Sequence, residues 1–315
     1  MYKEHTVAVV VPAYNEETQI TRVVETMPDF VDHIIIVDDK SADATVSVVE
    51  RLRSEERRIV LLRHEVNRGV GAAIASGYIW ARDNDVDAAA VMAGDGQMDP
   101  ADLPALLEPV ITEGVDYSKG NRLVYEEAFR LMPKVRFFGN AVLSWLTKIA
   151  SGYWHVADSQ TGYAVIGKKA LRSVDWDKMY PRYGQPNDLL IRLNVLDMRV
   201  RDVPVRPVYH VGEKSGIRVR KVLFSISALL LRMYFWRLWK KYVIRDAHPL
   251  VLLIFFGILM FMTGGILFVR LCALWYLDGY APPMTAMAML FSFTMGMQSF
   301  LFGIWMDMDK NKHLR

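Results

Sequence analysis

Residues 86–100 read Val-Asp-Ala-Ala-Ala-Val-Met-Ala-Gly-Asp-Gly-Gln-Met-Asp-Pro, an apolar run followed by a polar cluster. A short apolar run bounded by turn residues is typical of a buried strand. Asp99 and Pro100 then form a favourable helix start, because Asp caps a helix N-terminus and Pro fits its first turn. The stretch therefore predicts a strand, a polar loop that carries Asp95 and Gln97, and a helix. In an open α/β sheet, such a loop at the carboxyl end of a strand is where ligands bind.

The same order of strand and helix recurs from residue 6 to about residue 120. The apolar runs are continuous rather than alternating, as expected of strands that are buried on both faces. The predicted strands are Val7–Pro12, His33–Val37, Ile59–Arg63, Ala88–Met92 and Tyr117–Lys119, and the predicted helices are Glu17–Thr26, Ala44–Glu55, Gly69–Asp83 and Pro100–Glu113. This alternation predicts an α/β domain with a mostly parallel sheet and helices on both faces.

Two long apolar stretches follow, from Leu250 to Val269 and from Met284 to Met306. The first has no charged residue, and the second has Gln298 as its only strongly polar member. A helix of this length can cross the roughly 30 Å of hydrocarbon in a bilayer. We therefore predict a transmembrane hairpin with spans at about 250–272 and 284–306. Two buried core helices are the alternative.

Glycines recur seven residues apart in both predicted spans: Gly257 and Gly264 in the first, Gly296 and Gly303 in the second. Residues with this spacing lie on one helix face, and small residues there let two helices approach closely. Close packing of the hairpin is one interpretation of the pattern, and general flexibility of the helices is the other.

Basic residues flank the two spans on the same side. They are Arg237, Lys240, Lys241 and Arg245 before the first span, and Lys310, Lys312 and Arg315 after the second. The connecting loop has no Lys or Arg, and Arg270 at the outer end of the first span can snorkel to the headgroups. By the positive-inside rule, both termini and the first domain face the cytosolic side of the cell membrane or of an ER-type membrane.

Two further segments, at about 133–150 and 219–242, have amphipathic helical patterns rich in aromatic and basic residues. This composition suits the membrane interface. The second segment leads directly into the first span, so we predict that it lies at the interface. For the first segment, interfacial placement and ordinary packing within the domain fit the pattern equally well.

Charge and cysteine content exclude several functional classes. The net charge is only +3 at pH 7, and basic residues concentrate near the predicted spans, where anionic lipids attract them. This argues against a dedicated nucleic-acid-binding protein. Cys272 is the only cysteine, which excludes an intramolecular disulfide and a thiolate metal cluster.

Polar side chains follow three of the predicted strands. Pro12–Glu16 ends the first strand, Asp38 and Asp39 end the second, and Asp95 ends the fourth. Because the carboxyl ends of parallel strands meet at one edge, these groups should converge on one crevice. Carboxylates there can accept hydrogen bonds from a base or ribose, and Asp95 and Gln97 offer oxygen ligands that suit Mg²⁺ or Mn²⁺. Each cluster alone also fits an ordinary turn; all three together predict a nucleotide site.

Six motifs occur in a characteristic order along the chain. They are Val-Pro-Ala-Tyr-Asn-Glu-Glu from Val11, Val-Asp-Asp-Lys-Ser-Ala-Asp from Val37, Asn-Arg-Gly from Asn67, Asp-Gly-Gln-Met-Asp-Pro from Asp95, Asp-Ser-Gln-Thr-Gly-Tyr from Asp158 and Gly-Glu-Lys-Ser from Gly212. Over roughly residues 6–217 this pattern resembles the GT-A glycosyltransferases of family 2. Within that family it is similar to the polyprenyl-phosphate glycosyltransferases, the group of dolichyl-phosphate mannose synthase, part of which carries a two-helix anchor.

The resemblance implies roles for individual residues. The nucleotide of a UDP- or GDP-linked sugar would be held by Pro12, Tyr14, Asn15, Glu16, Asp39 and Asp95. The metal, Mg²⁺ or Mn²⁺, and through it the diphosphate would be bound by the catalytic pair Asp95 and Gln97. The phosphate of the acceptor lipid would be faced by Arg122, Arg136, Asn140, Lys214 and Ser215.

The chain departs from the family pattern at three places. Relatives often carry a second acid where this chain has Ala93, so the metal would rely on Asp95, Gln97 and the diphosphate itself. Asn140 stands where the group often has a small hydroxyl residue. An Arg that relatives often carry before the Gly-x-Ser-Lys segment is here nearer His210, with one residue deleted, so we expect His210 to be a structural residue and not a phosphate contact.

The implied reaction is transfer of the sugar to the phosphate of a membrane polyprenyl phosphate. A phosphate monoester has a second pKa of about 6, so it is largely dianionic at pH 7. It can therefore attack C1 of the sugar directly, in one inverting displacement. A hydroxyl acceptor would instead need a carboxylate to take its proton. Asn187-Asp188 offers such an acid, although a helix N-cap is the preferred interpretation of this pair.

The domain division expected from these observations has three parts: a cytosolic GT-A catalytic domain at 1–217, a juxtamembrane amphipathic helix at 218–245, and the transmembrane hairpin with a short tail at 246–315. Two other functions remain alternatives. One is a processive polysaccharide synthase that acts on a sugar hydroxyl, and the other is a catalytically degenerate nucleotide-sugar-binding membrane protein, which Ala93 favours. A homo-oligomer is left open by the sequence.

Overall fold

The computed structural model describes residues 1–124, 134–206, 208 and 219–315, and of residues 134–137 and 219–222 it describes the backbone. The chain divides into two compact units. One comprises Met1–Tyr234 with Leu314–Arg315, and the other comprises Phe235–His313.

The described residues of the first unit form a seven-stranded sheet in the order β3-β2-β1-β4-β6-β5-β7. The strands are β1 (Val7–Ala13), β2 (His33–Asp38), β3 (Ile59–Arg63), β4 (Ala88–Val91), β5 (Tyr117–Asn121), β6 (Ala164–Gly167) and β7 (Val200–Pro204). Neighbouring strands are parallel except where β6 lies antiparallel between β4 and β5. The five predicted strands are confirmed to within two residues at each end, and the mostly parallel sheet is confirmed as well.

Helices cover both faces of this sheet. In chain order, the helices described up to Arg237 are α1 (Ile20–Glu25), α2 (Thr45–Glu55), α3 (Val70–Asp83), α4 (Leu103–Thr112), α5 (Lys134–Ser151), α6 (Lys168–Ser173), α7 (Gln185–Val195) and α8 (Val219–Arg237), and the second unit begins within α8. Successive residues of β1 point into opposite cores: Val10 packs in the cluster that includes α3 and α7, whereas Val9 packs in the cluster that includes α1 and α4. Burial on both faces explains why the apolar runs of the strands are continuous.

The predicted helix start at Asp99 is confirmed, with one difference. The Asp99 carboxylate accepts a hydrogen bond from the backbone N–H of Ala101 at 2.9 Å, as an N-cap does. The first turn, Pro100–Asp102, is a 3₁₀ helix, and the α-helix α4 begins only at Leu103. The single helix predicted from Pro100 to Glu113 is therefore a 3₁₀ turn followed by an α-helix.

The second unit contains two long helices, α9 (Leu250–Asp278) and α10 (Pro283–Asn311). Both are long and apolar enough to cross a membrane, with mean hydropathies of 2.6 and 1.4 over their most apolar windows. Fewer than a third of the residues in those windows are buried. This exposure is unlike that of a core helix in a soluble domain, and it favours the transmembrane interpretation.

The glycines bring α9 and α10 into close contact. A Cβ added at Gly257 would lie 3.1 Å from the main-chain oxygen of Gly296, and one added at Gly296 would lie 3.2 Å from the main-chain oxygen of Gly257. Added at Gly303, it would lie 2.5 Å from Cδ1 of Ile254. Close packing of the hairpin, rather than general flexibility, therefore accounts for these glycines.

A buried set of polar side chains, here called the polar clasp, ties the end of α10 to the turns before α9. Arg237 donates two hydrogen bonds to the Asp307 carboxylate, at 2.9 and 3.0 Å. The same carboxylate accepts from the Tyr242 hydroxyl at 2.6 Å, and Lys241 donates to the side-chain oxygen of Asn311 at 2.8 Å. Residues Leu238–Arg245 form a π-helix here, so the predicted helix at 219–242 changes its hydrogen-bonding pattern after Arg237.

Candidate active site

The polar clusters after β1, β2 and β4 meet at one edge of the sheet, as predicted. The N–H of Asp39 donates to the main-chain oxygen of Ala13 at 2.9 Å, and the N–H of Gly94 lies 3.4 Å from the main-chain oxygen of Pro12. At this edge β1 lies between β2 and β4, and the order of the strands across the sheet reverses there. Such a switch point opens a crevice at the carboxyl ends of the strands.

The loop after β1 is fastened to the loop after β2 through Asn15. Its backbone adopts a left-handed conformation with φ of 58°, which Asn tolerates better than most residues. The Asn15 side-chain oxygen accepts from the N–H of Ala42 at 2.8 Å, and its own N–H donates to the Ser41 hydroxyl at 2.9 Å. Asn15 therefore shapes the crevice through these contacts. Tyr14, beside it, is half exposed and Pro12 is partly buried.

Glu16 is half-buried and close to the loop after β4. A Cβ added at Gly94 would lie 3.4 Å from Cγ of Glu16. Burial, then repulsion from Asp95 and Asp43, raises the pKa of Glu16 to about 7. Carboxylates from the first and fourth strands thus concentrate negative charge in one place, and a bound cation would relieve the repulsion.

The loop that carries Asp95 is a tight turn with its own internal bonds. The Asp95 carboxylate accepts from the N–H of Gln97 at 3.0 Å, and Gly96 between them has a φ of 69°, a conformation that glycine adopts at no steric cost. Both side chains are partly exposed. Their oxygen atoms fit Mg²⁺ or Mn²⁺. In the described ranges, no group of three or more His, Cys, Asp or Glu side chains forms a metal site.

Asp39 is buried and already accepts from three donors. The N–H groups of Arg68 and Gly69 bind its two carboxylate oxygens at 2.8 and 2.7 Å, and His64 Nδ1 lies 2.7 Å from Oδ1. The other ring nitrogen of His64 contacts the Ser76 hydroxyl at 2.9 Å. Asp39 therefore holds the Asn67-Arg68-Gly69 turn in place. Sequence reasoning identified that turn and missed His64, because no local pattern links a residue after β3 to one after β2.

Arg122 lies just after β5 and is paired with Asp158. Its Nε donates to Asp158 Oδ2 at 2.8 Å, and its Nη2 donates to Oδ1 at 3.2 Å. The Arg122 side chain is 23% exposed, whereas that of Asp158 is fully buried. The pair joins the end of β5 to the Asp-Ser-Gln-Thr-Gly-Tyr motif, although the two residues are 36 positions apart in the chain.

The remaining residues assigned to the acceptor phosphate are only partly covered by the structure. Asn140 lies on α5 and is partly buried. Arg136 precedes it by about one turn of the same helix, but its side chain lies outside the described residues, as do Lys214, Ser215 and His210. Their assignments stay predictions.

Asp188 is neither an N-cap nor an accessible acid. The residue at the N-cap of α7 is Gly184, and Asp188 lies in the first turn. Its Oδ2 accepts from the N–H of Tyr180 at 2.8 Å and from Arg192 Nε at 3.1 Å. The side chain is almost fully buried, so it serves the packing of α7 and not proton transfer. The N-cap prediction for the Asn187-Asp188 pair is therefore wrong.

Comparison with known proteins agrees with this geometry. Residues 8–175 match the model of glycosyl transferase family 2. The chain is 31% identical to a UDP-N-acetylglucosamine–dolichyl-phosphate N-acetylglucosaminyltransferase of Methanococcus voltae, over 71% of this chain and 95% of that protein. It is 28% identical to an undecaprenyl-phosphate mannosyltransferase of Micrococcus luteus, over 63% of this chain and 82% of the relative.

Among solved structures, the fold is similar to that of glucosyl-3-phosphoglycerate synthase from Mycobacterium tuberculosis. The TM-score is 0.56 at 21% identity, with 74% of this chain and 80% of that chain covered. This likeness supports the GT-A-like architecture of the first unit. The family match covers more than half of the sequence, and the chain therefore belongs to glycosyl transferase family 2.

Proposed function

We propose that this protein transfers a sugar from a nucleotide-sugar donor to the phosphate of a membrane polyprenyl phosphate. One observation carries the proposal: the polar groups after β1, β2 and β4 form a single crevice in a family 2 chain. Relatives of this chain are named for transfer to dolichyl, undecaprenyl or polyprenol phosphates.

The donor that we favour is a UDP-sugar. The relative from Methanococcus voltae is named for a UDP-linked donor. The hydrogen bonds of Asp39 also favour a UDP-linked donor. A carboxylate has about four acceptor positions, and three of those of Asp39 are in use. One remaining position suits the single ring N–H of uracil better than the N1–H and N2 amine of guanine. A GDP-sugar is the competing donor.

Asp95 and Gln97 would hold a divalent cation, Mg²⁺ or Mn²⁺, together with oxygens of the diphosphate. The cation would stabilise the negative charge that develops on the leaving nucleoside diphosphate. Glu16 lies beside this loop, and a bound cation would relieve the repulsion between Glu16 and Asp95. Pro12, Tyr14 and Asn15 line the same crevice, where the nucleotide would lie.

The acceptor phosphate would bind at Arg122, whose guanidinium can make paired hydrogen bonds with phosphate oxygens. Arg136, Asn140, Lys214 and Ser215 are proposed to complete this site. A dianionic phosphate needs no general base, and the transfer would be a single inverting displacement. The burial and pairing of Asp188 support this mechanism, since a hydroxyl acceptor would require an accessible carboxylate.

A membrane location explains how a lipid reaches the site. We propose that α9 and α10 span the bilayer, with the catalytic domain at 1–217 and the juxtamembrane segment at 218–245 on the cytosolic side. Helix α5 supports an interfacial role, because Phe138, Val142 and Trp145 are 62%, 53% and 60% exposed along one face. Ser144 and Thr147, on the opposite face, are buried. A helix with its apolar face exposed suits the headgroup region.

The test is to incubate membranes that contain the protein with labelled UDP- and GDP-sugars and then to extract lipid. We expect label in a lipid that mild acid releases, with a UDP-sugar as donor. Label in polymer would support a processive synthase. The absence of transfer from every sugar of the panel would favour a binding protein without activity.

A further inference from the structure

We propose that Asp158 is a positioning residue that aims the Arg122 guanidinium at the acceptor phosphate. The inference rests on the proposed function, in which Arg122 contacts that phosphate. It adds a role for the Asp-Ser-Gln-Thr-Gly-Tyr segment, which begins at Asp158.

The contacts of Asp158 fix Arg122 in three places. Oδ2 accepts from the side-chain Nε of Arg122 at 2.8 Å and from its backbone N–H at 3.3 Å, and Oδ1 accepts from Nη2 at 3.2 Å. Oδ1 also accepts from the N–H of Gln160 at 3.3 Å, which orients the carboxylate in turn. Because the guanidinium is planar, holding one edge of it determines where its other edges point.

A second charge lies behind this pair. Lys119 is fully buried, and its ammonium donates to the main-chain oxygen of Thr161, three residues after Asp158. Burial lowers the pKa of Lys119 to about 8, while the charges of Asp158 and Asp202 act in the opposite direction. Burial also opposes ionisation of Asp158, but Arg122 and Lys119 offset this and leave its pKa below the ordinary value. Asp158 is therefore a carboxylate whose charge is stabilised by two cations, Arg122 and Lys119.

Burial separates a positioning role from direct catalysis. The Asp158 side chain has no exposed surface, so a lipid phosphate cannot reach it, whereas Arg122 is partly exposed. Asp158 can therefore affect the acceptor only indirectly, and its shortest side-chain hydrogen bond is to Arg122. A buried partner that locks an exposed binding group is the usual way in which proteins hold a functional side chain in a productive geometry.

Loss of the Asp158 charge and loss of its hydrogen bonds should change the affinity for a phosphate in opposite directions. The negative charge of Asp158 offsets part of the positive field of Arg122, so its removal alone would strengthen the attraction of a phosphate. Loss of its hydrogen bonds would release the guanidinium and weaken binding instead. The sign of the change therefore decides whether Asp158 acts by positioning.

The experiment measures binding to the detergent-solubilised full chain of farnesyl phosphate, of farnesol as its uncharged counterpart, and of UDP. For Asp158→Asn we expect affinity for farnesyl phosphate to fall at least tenfold, with farnesol and UDP changed less than twofold. Asp158→Glu keeps the charge and moves the carboxylate by one methylene, and it should also weaken farnesyl phosphate binding. Asp202→Asn is the matched control, because Asp202 accepts from Asn121 and Ala157 instead of Arg122. It should leave all three affinities within twofold.

A double variant tests whether the effect passes through Arg122. In an Arg122→Met background, Asp158→Asn should cause no further loss of farnesyl phosphate affinity. Tighter or unchanged binding in Asp158→Asn would overturn the positioning role, and so would equal losses for all three ligands. If the wild-type protein binds farnesyl phosphate no better than farnesol, the proposed acceptor itself is wrong and the positioning role fails with it.

Discussion

The hydroxyl of Tyr163 donates a hydrogen bond to the main-chain oxygen of Asp99 at 2.9 Å. The segment that begins at Asp158 is thereby bonded to the loop that carries Asp95 and Gln97. The proposed acceptor side and the proposed metal side of the site are thus connected by one buried side chain. Burial, then the charges of Asp102 and Asp99, raises the pKa of the Tyr163 phenol well above its ordinary value, so it remains a donor at physiological pH.

Tyr163→Phe should loosen this connection with little change in volume. A typical buried hydrogen bond contributes about 1 kcal/mol, so we expect a modest loss of stability and a several-fold increase in the concentration of Mn²⁺ that gives half-maximal transfer. Tyr153→Phe is a matched control, because its hydroxyl also donates to a main-chain oxygen, that of Met198, away from the metal loop. Equal metal dependence in the two variants would contradict the proposed connection.

Asp95→Ala should abolish transfer while the protein stays folded and inserted. Asp95→Asn is the sharper variant, since its side-chain oxygen can still accept from the N–H of Gln97 and preserve the turn. We expect at least a hundredfold loss of turnover in both variants, with the thermal midpoint of Asp95→Asn near that of the wild type. Near-normal turnover in either would show that the metal is held elsewhere.

Asp202 should make stability depend on pH in the acidic range. Burial raises its pKa to about 6, above the ~3.9 expected in an unfolded chain. The folded state therefore retains a proton that the unfolded state has already released, and the free energy of unfolding falls as the pH rises from about 4 to about 6. At about 1.4 kcal/mol per pKa unit, the effect is at most about 3 kcal/mol.

Asp202→Asn should remove this contribution and leave the structure intact, since an amide oxygen can still accept from Asn121 and Ala157. Unfolding of both proteins in detergent, followed between pH 4 and pH 7, measures the difference. The variant should gain stability relative to the wild type as the pH rises. A constant difference across this range would contradict the assignment.

Gly257→Leu should separate α9 from α10, because a Cβ there would lie 3.1 Å from the main-chain oxygen of Gly296. Gly265→Leu is the control in the same helix, since a Cβ at that position would meet nothing within 4 Å. Both changes should affect helix propensity alike. We expect a lower thermal midpoint in detergent for Gly257→Leu alone, and similar midpoints for the two variants would argue against close packing of the hairpin.

Local sequence patterns predicted the strands that are buried on both faces, because their apolar runs are continuous. They did not single out β6 and β7. β6 has only four residues, and β7 has two adjacent charged residues and a proline among its five, so each depends on its pairing partner more than on its own composition. The same limit applies to helix type: the change from α-helix to π-helix after Arg237 coincides with the polar clasp, whose partners lie about 70 residues further along.

The candidate site, too, could be predicted from the sequence only in part. Residues such as Asp95 and Gln97 follow a strand directly, so their location could be inferred from position alone. The hydrogen bonds that hold other side chains of the site, such as Asp39 and Arg122, could not be inferred in this way. His64 reaches Asp39 across 25 residues and Asp158 reaches Arg122 across 36, and only the folded sheet brings each pair together.

The polar clasp has a consequence for the order in which the chain is assembled. Arg237 leaves the ribosome 70 residues before Asp307, so its partner does not exist while the first long helix is being inserted. Burial of a guanidinium without a carboxylate is costly, and Arg237 lacks the two hydrogen bonds to Asp307 until α10 has also been made. The polar clasp can therefore close only after both long helices have been made, and a chain truncated before Asp307 would lack its central carboxylate.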